Sequence, residues 1–145
     1  MGIKVRRRAR ARWRGNVPDG VGEISLASGS LTAPYTLRSR TAEGVPAGTN
    51  PEELIGAGLA GCFAMSVANL LEEDGISDVV VDASAVVELV ETNSGFSLST
   101  ITLTVYGSGA GLDRSRFAEL ADQAKRTCPV SRALAGTTIA LTIGE

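Results

Sequence analysis

The chain predicts an α+β fold in one domain, residues 1–145. Its elements run as three strands, a long helix, two strands, a second helix with a short extension, and a last strand. Three observations carry the prediction. Residues 5–14 alternate, with Arg6, Arg8, Arg10, Arg12 and Arg14 on one side and Val5, Arg7, Ala9, Ala11 and Trp13 on the other, which is the period of a strand with one solvated face. Leu54 to Leu71 is an uncharged run of 18 residues, too long for a strand. Two valine- and threonine-rich stretches flank Asn93-Ser94-Gly95, the signature of a hairpin. Strands and helices arranged in blocks of this kind indicate α+β architecture.

Each element has a local cause. Val21–Ala27 reads as a second strand, turned by Ser28-Gly29-Ser30, and Leu31–Arg40 as a third running back. Residues 41–49 read as a loop rich in Gly, Ala and Pro. Asn50-Pro51-Glu52-Glu53 starts the long helix: Asn50 is a cap, proline suits the first helical position, and Glu53 completes a variant capping box. The helix runs to about Asp74 and stops at Gly75. Ser77–Glu91 and Phe96–Tyr106 form the hairpin, and Gly107–Gly111 a loop. Asp113 caps the second helix, whose buried stripe is Phe117, Leu120, Ala121, Ala124 and Cys128. Pro129 breaks it, a short helix continues to Leu134, and Thr137–Ile143 is the last strand.

Composition removes whole classes of chemistry. With no histidine, the commonest general base, the Ser-His and Cys-His pairs and the usual zinc ligand are gone. Two cysteines do not make a four-ligand zinc site in one chain, so no metal and no cofactor are expected. A net charge of −2 implies no nucleic-acid partner. The arginine face of the first strand reads as a solvated, aggregation-resistant edge. The N-terminus is basic but lacks the apolar core of a signal peptide. The 54–71 run contains three glycines, Ser66 and Asn69 between acidic flanks, so it reads as a buried soluble helix with no membrane partner. Cytoplasmic localisation follows, a compartment where thiols stay reduced unless they are working.

The two cysteines are therefore the candidate chemistry. Cys62 lies deep in the apolar helix, and Cys128 directly before Pro129. Taken alone, Cys62 reads equally well as a small buried hydrophobe, and Cys128 as one more residue of an amphipathic stripe. Against the second reading, a thiol at the start of a helical turn is favoured as thiolate. Glu52 occupies a first-turn position that favours any acid, and Arg40 reads as a solvated arginine at a strand end.

Gly48-Thr49-Asn50-Pro51-Glu52-Glu53-Leu54 leading into Ala60-Gly61-Cys62-Phe63, followed by Cys128-Pro129-Val130-Ser131, closely resembles the OsmC/Ohr family, the osmotically inducible protein C and organic hydroperoxide resistance proteins. Ala11-Arg12-Trp13-Arg14-Gly15 extends the likeness over nearly the whole chain, and Cys-Pro-Val-Ser with Leu134 resembles the OsmC branch more than the Ohr branch. The resemblance implies an OsmC-like fold in an intertwined homodimer. It also implies a thiol peroxidase that reduces organic hydroperoxides, with Cys62 as the peroxidatic cysteine and Cys128 as the resolving one. Arg40 matches the arginine that holds the thiolate, and Glu52 the carboxylate that orients it. The reductant it implies is a dithiol such as a lipoyl protein.

Helix geometry adds one expectation of its own. Glu52 and Cys62 are ten residues apart, or about 15 Å along an unbroken helix, too far for one arginine of the same chain to serve both. The stripe Gly56, Ala60, Ala64, Ala68 lets a second helix approach closely. A two-fold dimer with composite sites is expected, Cys62 and Cys128 from one chain, Arg40 and Glu52 from its partner. Leu59, Phe63 and Met65 are expected to wall an apolar substrate pocket. The competing reading is a dimeric binding protein for a small apolar ligand, its thiols redox sensors or incidental.

Overall fold

Arginine alternation does build the first strand, over a shorter span than the sequence suggests. The computed structural model describes residues 2–45 and 47–145, so Pro46 of the expected loop lies outside the described residues. It consists of two units, residues 1–51 and 52–145. In the first, β1 (Ala9–Arg14), β2 (Val21–Leu26) and β3 (Thr32–Tyr35) form an antiparallel sheet in that order. Arg10, Arg12 and Arg14 pair with Ser25, Glu23 and Val21 on one face. Trp13 falls on the other face and leans on Tyr35, ring centroids 5.5 Å apart.

The predicted third strand, Leu31–Arg40, ends early. Thr36 and Ser39 exchange side-chain hydrogen bonds with each other's backbone N–H, both at 2.9 Å, and start a short helix, α1 (Leu37–Thr41). Such a reciprocal cap satisfies two donors that a strand would need a neighbour to satisfy. Arg40 therefore stands on a helix and not at a strand end. Ser39 Oγ also donates to the Thr49 carbonyl at 2.8 Å, and the Asn50 amide donates to the Ser39 carbonyl at 3.0 Å. These bonds fix the segment that leads into the long helix.

The second unit begins in the first turn of α2 (Pro51–Glu73). Its sheet is the hairpin β4 (Ser77–Thr92) and β5 (Gly95–Ala110), completed by β6 (Thr138–Ile143) parallel to β5. Between β5 and β6 lie α3 (Arg114–Thr127) and α4 (Pro129–Ala133). β5 is central, so Ile101, Leu103 and Val105 are fully buried, facing Val87, Ala85 and Ala83 of β4 and Ile139, Leu141 and Ile143 of β6. Leu59, Phe63, Val67 and Leu71 of α2, with Phe117, Leu120, Ala121 and Ala124 of α3, complete one core with that sheet face. Each large side chain so buried contributes about 1.5–3 kcal/mol of transfer free energy. At the far end Arg116 grips Asp74 through its Nε and Nη2, which holds that exposed carboxyl below its ordinary acidity range.

Two details depart from the sequence reading. β5 continues to Ala110, through the expected loop. Gly107 is buried there with the Phe117 ring lying where a Cβ would stand, and Gly109 is similarly overlain by Ile76. The glycines are strand residues that make room for packing. Gly107→Ala is accordingly expected to destabilise the protein by about 1–3 kcal/mol, the cost of overpacking a filled core; a denaturant midpoint at unchanged m-value checks it. One member of the expected small-residue stripe also lies elsewhere than expected. Gly56 faces inward, where an added Cβ would sit 3.2 Å from Val87, whereas Gly58 and Gly61 have open space beyond them.

Candidate functional site

α2 is apolar nearly all round, which lets it bury one face and still present hydrophobic groups on the other. Phe63 takes the inward position, so the neighbouring Cys62 reaches only the rim of the core and is half-buried. Ser66, one turn on, donates its hydroxyl to the Cys62 carbonyl at 2.9 Å.

Cys128 arrives from the opposite helix pair. It ends α3, where its N–H bonds the Ala124 carbonyl at 2.8 Å, and it is also the N-cap of α4. Pro129 permits this double role, since proline has no N–H to leave unpaired and suits the first helical position. The Cys128 side chain is 1 % exposed. Its sulfur stands 2.7 Å from that of Cys62, both as free thiols. Two cysteines separated by sixty-five residues of sequence thus meet within the second unit, close enough that no rearrangement of elements need precede bonding between them.

Their environments push them in opposite directions. Burial, followed by the hydrogen bond with Cys128, drives the Cys62 thiol above its ordinary range. Burial also pushes Cys128 upward. It is outweighed by the hydrogen bond with Cys62, the N–H and hydroxyl of Ser131 and the N–H of Val130, which together bring Cys128 below its ordinary range. Inside this unit, Cys128 is the more readily ionised sulfur.

Beside the pair lies an open cleft of about 500 Å³ lined by Cys62, Met65, Ser66, Asn69, Leu70, Thr127 and Pro129. Of the three expected walls, Met65 lines it and is 73 % exposed; Leu59 and Phe63 do not, both being fully buried in the core. The reason is the inward stripe of α2, which they share with Val67 and Leu71. Ser66, Asn69 and Thr127 were not singled out from sequence. Ser66 and Asn69 follow Cys62 and Met65 by four residues, the spacing that aligns side chains on one helix face. That spacing was the available signal.

Glu52 is in the first turn of α2 and 6 % exposed. Arg40 belongs to the first unit. There it borders a separate cleft of about 200 Å³ with Trp13, Tyr35 and Pro51.

Comparison with known proteins identifies the family. The family model described as OsmC-like protein matches residues 43–143. The chain is 38% identical over 133 residues to peroxiredoxin OsmC of Escherichia coli (strain K12), covering 91% of this chain and 92% of that protein. It is 32% identical over 116 residues to organic hydroperoxide resistance protein OhrB of Bacillus subtilis (strain 168), covering 79% and 82%. The crystal structure of that OhrB superposes with a TM-score of 0.71 at 29% identity, over 94% of this chain and 98% of the other.

Proposed function

The chain belongs to the OsmC-like family, and from that premise we propose that it is a thiol-dependent peroxidase reducing organic hydroperoxides to alcohols. The observation that carries the reading is the 2.7 Å approach of two free sulfurs beside an open cleft. The Cys62 thiolate attacks the terminal oxygen of the hydroperoxide; the S–O bond forms, the O–O bond breaks, and the alkoxide leaves as alcohol with a proton. Cys62 is then a sulfenic acid. The Cys128 thiolate attacks that sulfur, the S–S bond forms, and hydroxide departs as water. A dithiol, such as a protein-borne lipoyl group, restores both thiols by exchange. The apolar contribution of Met65, Leu70 and Pro129 to the cleft favours organic hydroperoxides over hydrogen peroxide.

Cys62 needs a cation to ionise, because burial raises it and an opposite charge is the strongest counterweight. Arg40, oriented by Glu52, is the proposed source, contributed by the partner chain of a two-fold dimer. The outward face of α2 supports a dimer: Ala57, Gly58, Gly61 and Met65 are exposed there, and small side chains admit a second helix closely.

The direct test is thiol titration after one equivalent of cumene hydroperoxide. Peroxidase chemistry removes both thiols rapidly, with one alcohol formed per chain. Thiols that survive unchanged while the hydroperoxide remains intact would instead favour the binding-protein reading.

A further inference from the structure

Among the described residues the hydroxyl of Ser131 has no hydrogen-bond partner, although the residue is 5 % exposed. A buried hydroxyl left unpaired is costly, so its position calls for a cause. Ser131 stands three residues into the turn capped by Cys128. A side chain there ordinarily reaches back to the cap residue's N–H. That N–H is already spent on the Ala124 carbonyl, and the Cys128 carbonyl accepts from the Arg132 N–H at 3.1 Å. What the cap residue still offers is its sulfur, to which the Ser131 hydroxyl makes no hydrogen bond while the thiol is neutral. A neutral thiol is a weak acceptor and a thiolate a strong one.

We propose that Ser131 is the hydrogen-bond donor reserved for the Cys128 thiolate, closing on that sulfur as it becomes the anion that attacks oxidised Cys62. The inference rests on the two-thiol reading above and assigns a residue to its second step. In that step the Cys128 sulfur supplies the electron pair of the new S–S bond, the Cys62 S–O bond breaks, and hydroxide takes up a proton to leave as water. Ser131 neither gains nor loses a proton. It lowers the cost of the anion in a site with little water. The direction of the Cys128 acidity, to which the Ser131 hydroxyl contributes, agrees. Among the described residues the titratable group acting on Cys128 is Cys62 on α2, and the polar groups acting on it are the Val130 and Ser131 N–H groups and that hydroxyl.

Ser131→Ala and Ser131→Thr separate this role from packing. Each is oxidised with one equivalent of cumene hydroperoxide, and two events are timed: loss of the Cys62 thiol and appearance of the disulfide. In Ser131→Ala, Cys62 oxidation is expected to keep its rate, while disulfide closure slows roughly tenfold, as expected for losing a hydrogen bond to a charged group. Its pH profile shifts to the alkaline side, and the sulfenic acid becomes trappable by a dione reagent. Ser131→Thr, which keeps the hydroxyl, restores rate and profile. Equal closure rates and pH profiles in Ser131→Ala and the parent overturn the proposal, as does a Thr variant as slow as the Ala one. If the parent itself shows no Cys62 oxidation, the peroxidase reading fails first, and the separate timing of the two events distinguishes that outcome.

Discussion

Cys62→Ser is expected to reduce cumene hydroperoxide consumption by about a thousandfold or more, leaving the fold intact. The size follows from the role. A serine hydroxyl is not appreciably ionised at neutral pH, and the chain, having no histidine, lacks the commonest general base to ionise it. Removing a nucleophile therefore removes the covalent route altogether, and what remains is binding without chemistry. Stability should be little changed, because Cys62 sits at the core rim and its replacement is nearly isosteric. Cys128→Ser differs in kind. One equivalent of hydroperoxide is still consumed per chain, because Cys62 is intact. Turnover then stalls at a sulfenic acid that further peroxide carries to the sulfinic stage. Stopped-flow peroxide loss and intact mass, read together, check the pair: a burst of one equivalent with added oxygen for Cys128→Ser, and neither burst nor mass gain for Cys62→Ser. A Cys62→Ser protein that keeps even a tenth of the parent rate would place the chemistry elsewhere.

How much of this was legible beforehand depends on which physical signal a residue carries. The long helix was plain, since an 18-residue uncharged run between acidic flanks has few other uses. The buried side of α3 was equally plain, because polar residues occupy nearly all the remaining positions of that helix and leave one apolar stripe. The same logic failed on α2. A helix apolar on all sides does not say which face meets its own sheet. Gly56 was read as outward and packs on β4; Leu59 and Phe63 were read as cleft walls and are core. The third strand was overextended because Thr36 and Ser39 suit a strand as well as a cap, and what decides between them is the pair of hydrogen bonds each makes to the other's backbone. Gly107 and Gly109 suggested a loop, while their lack of a side chain serves Phe117 and Ile76. Both cysteine motifs could be recognised in sequence as motifs. The unpaired hydroxyl of Ser131 could not, because its isolation depends on the Cys128 N–H being already taken.

Arg40→Ala carries the second large effect, and its sign follows from the acidity of Cys62. Burial pushes that thiol up, and a guanidinium, which stays charged at any working pH, pulls it down. Peroxide attack needs the thiolate, so the rate rises with pH through the Cys62 pKa and levels above it. Removing the cation moves that rising limb to the alkaline side. At neutral pH the loss is roughly tenfold to a thousandfold, shrinking as pH is raised. The check is iodoacetamide alkylation of Cys62 against pH in a Cys128→Ser background, with and without Arg40→Ala. Coincident profiles sink the assignment of Arg40. Arg40→Lys should recover part of the shift, since it keeps the charge and loses the planar fork. The same substitution also tests the composite site. When Arg40→Ala chains are mixed with Cys62→Ser chains, a dimer containing one of each has an intact cysteine facing an intact arginine at one of its two sites if the arginine crosses between chains. Random reassociation then restores roughly a quarter of the parent activity. If Arg40 serves the cysteine of its own chain, every site in the mixture lacks one group or the other, and mixing restores nothing.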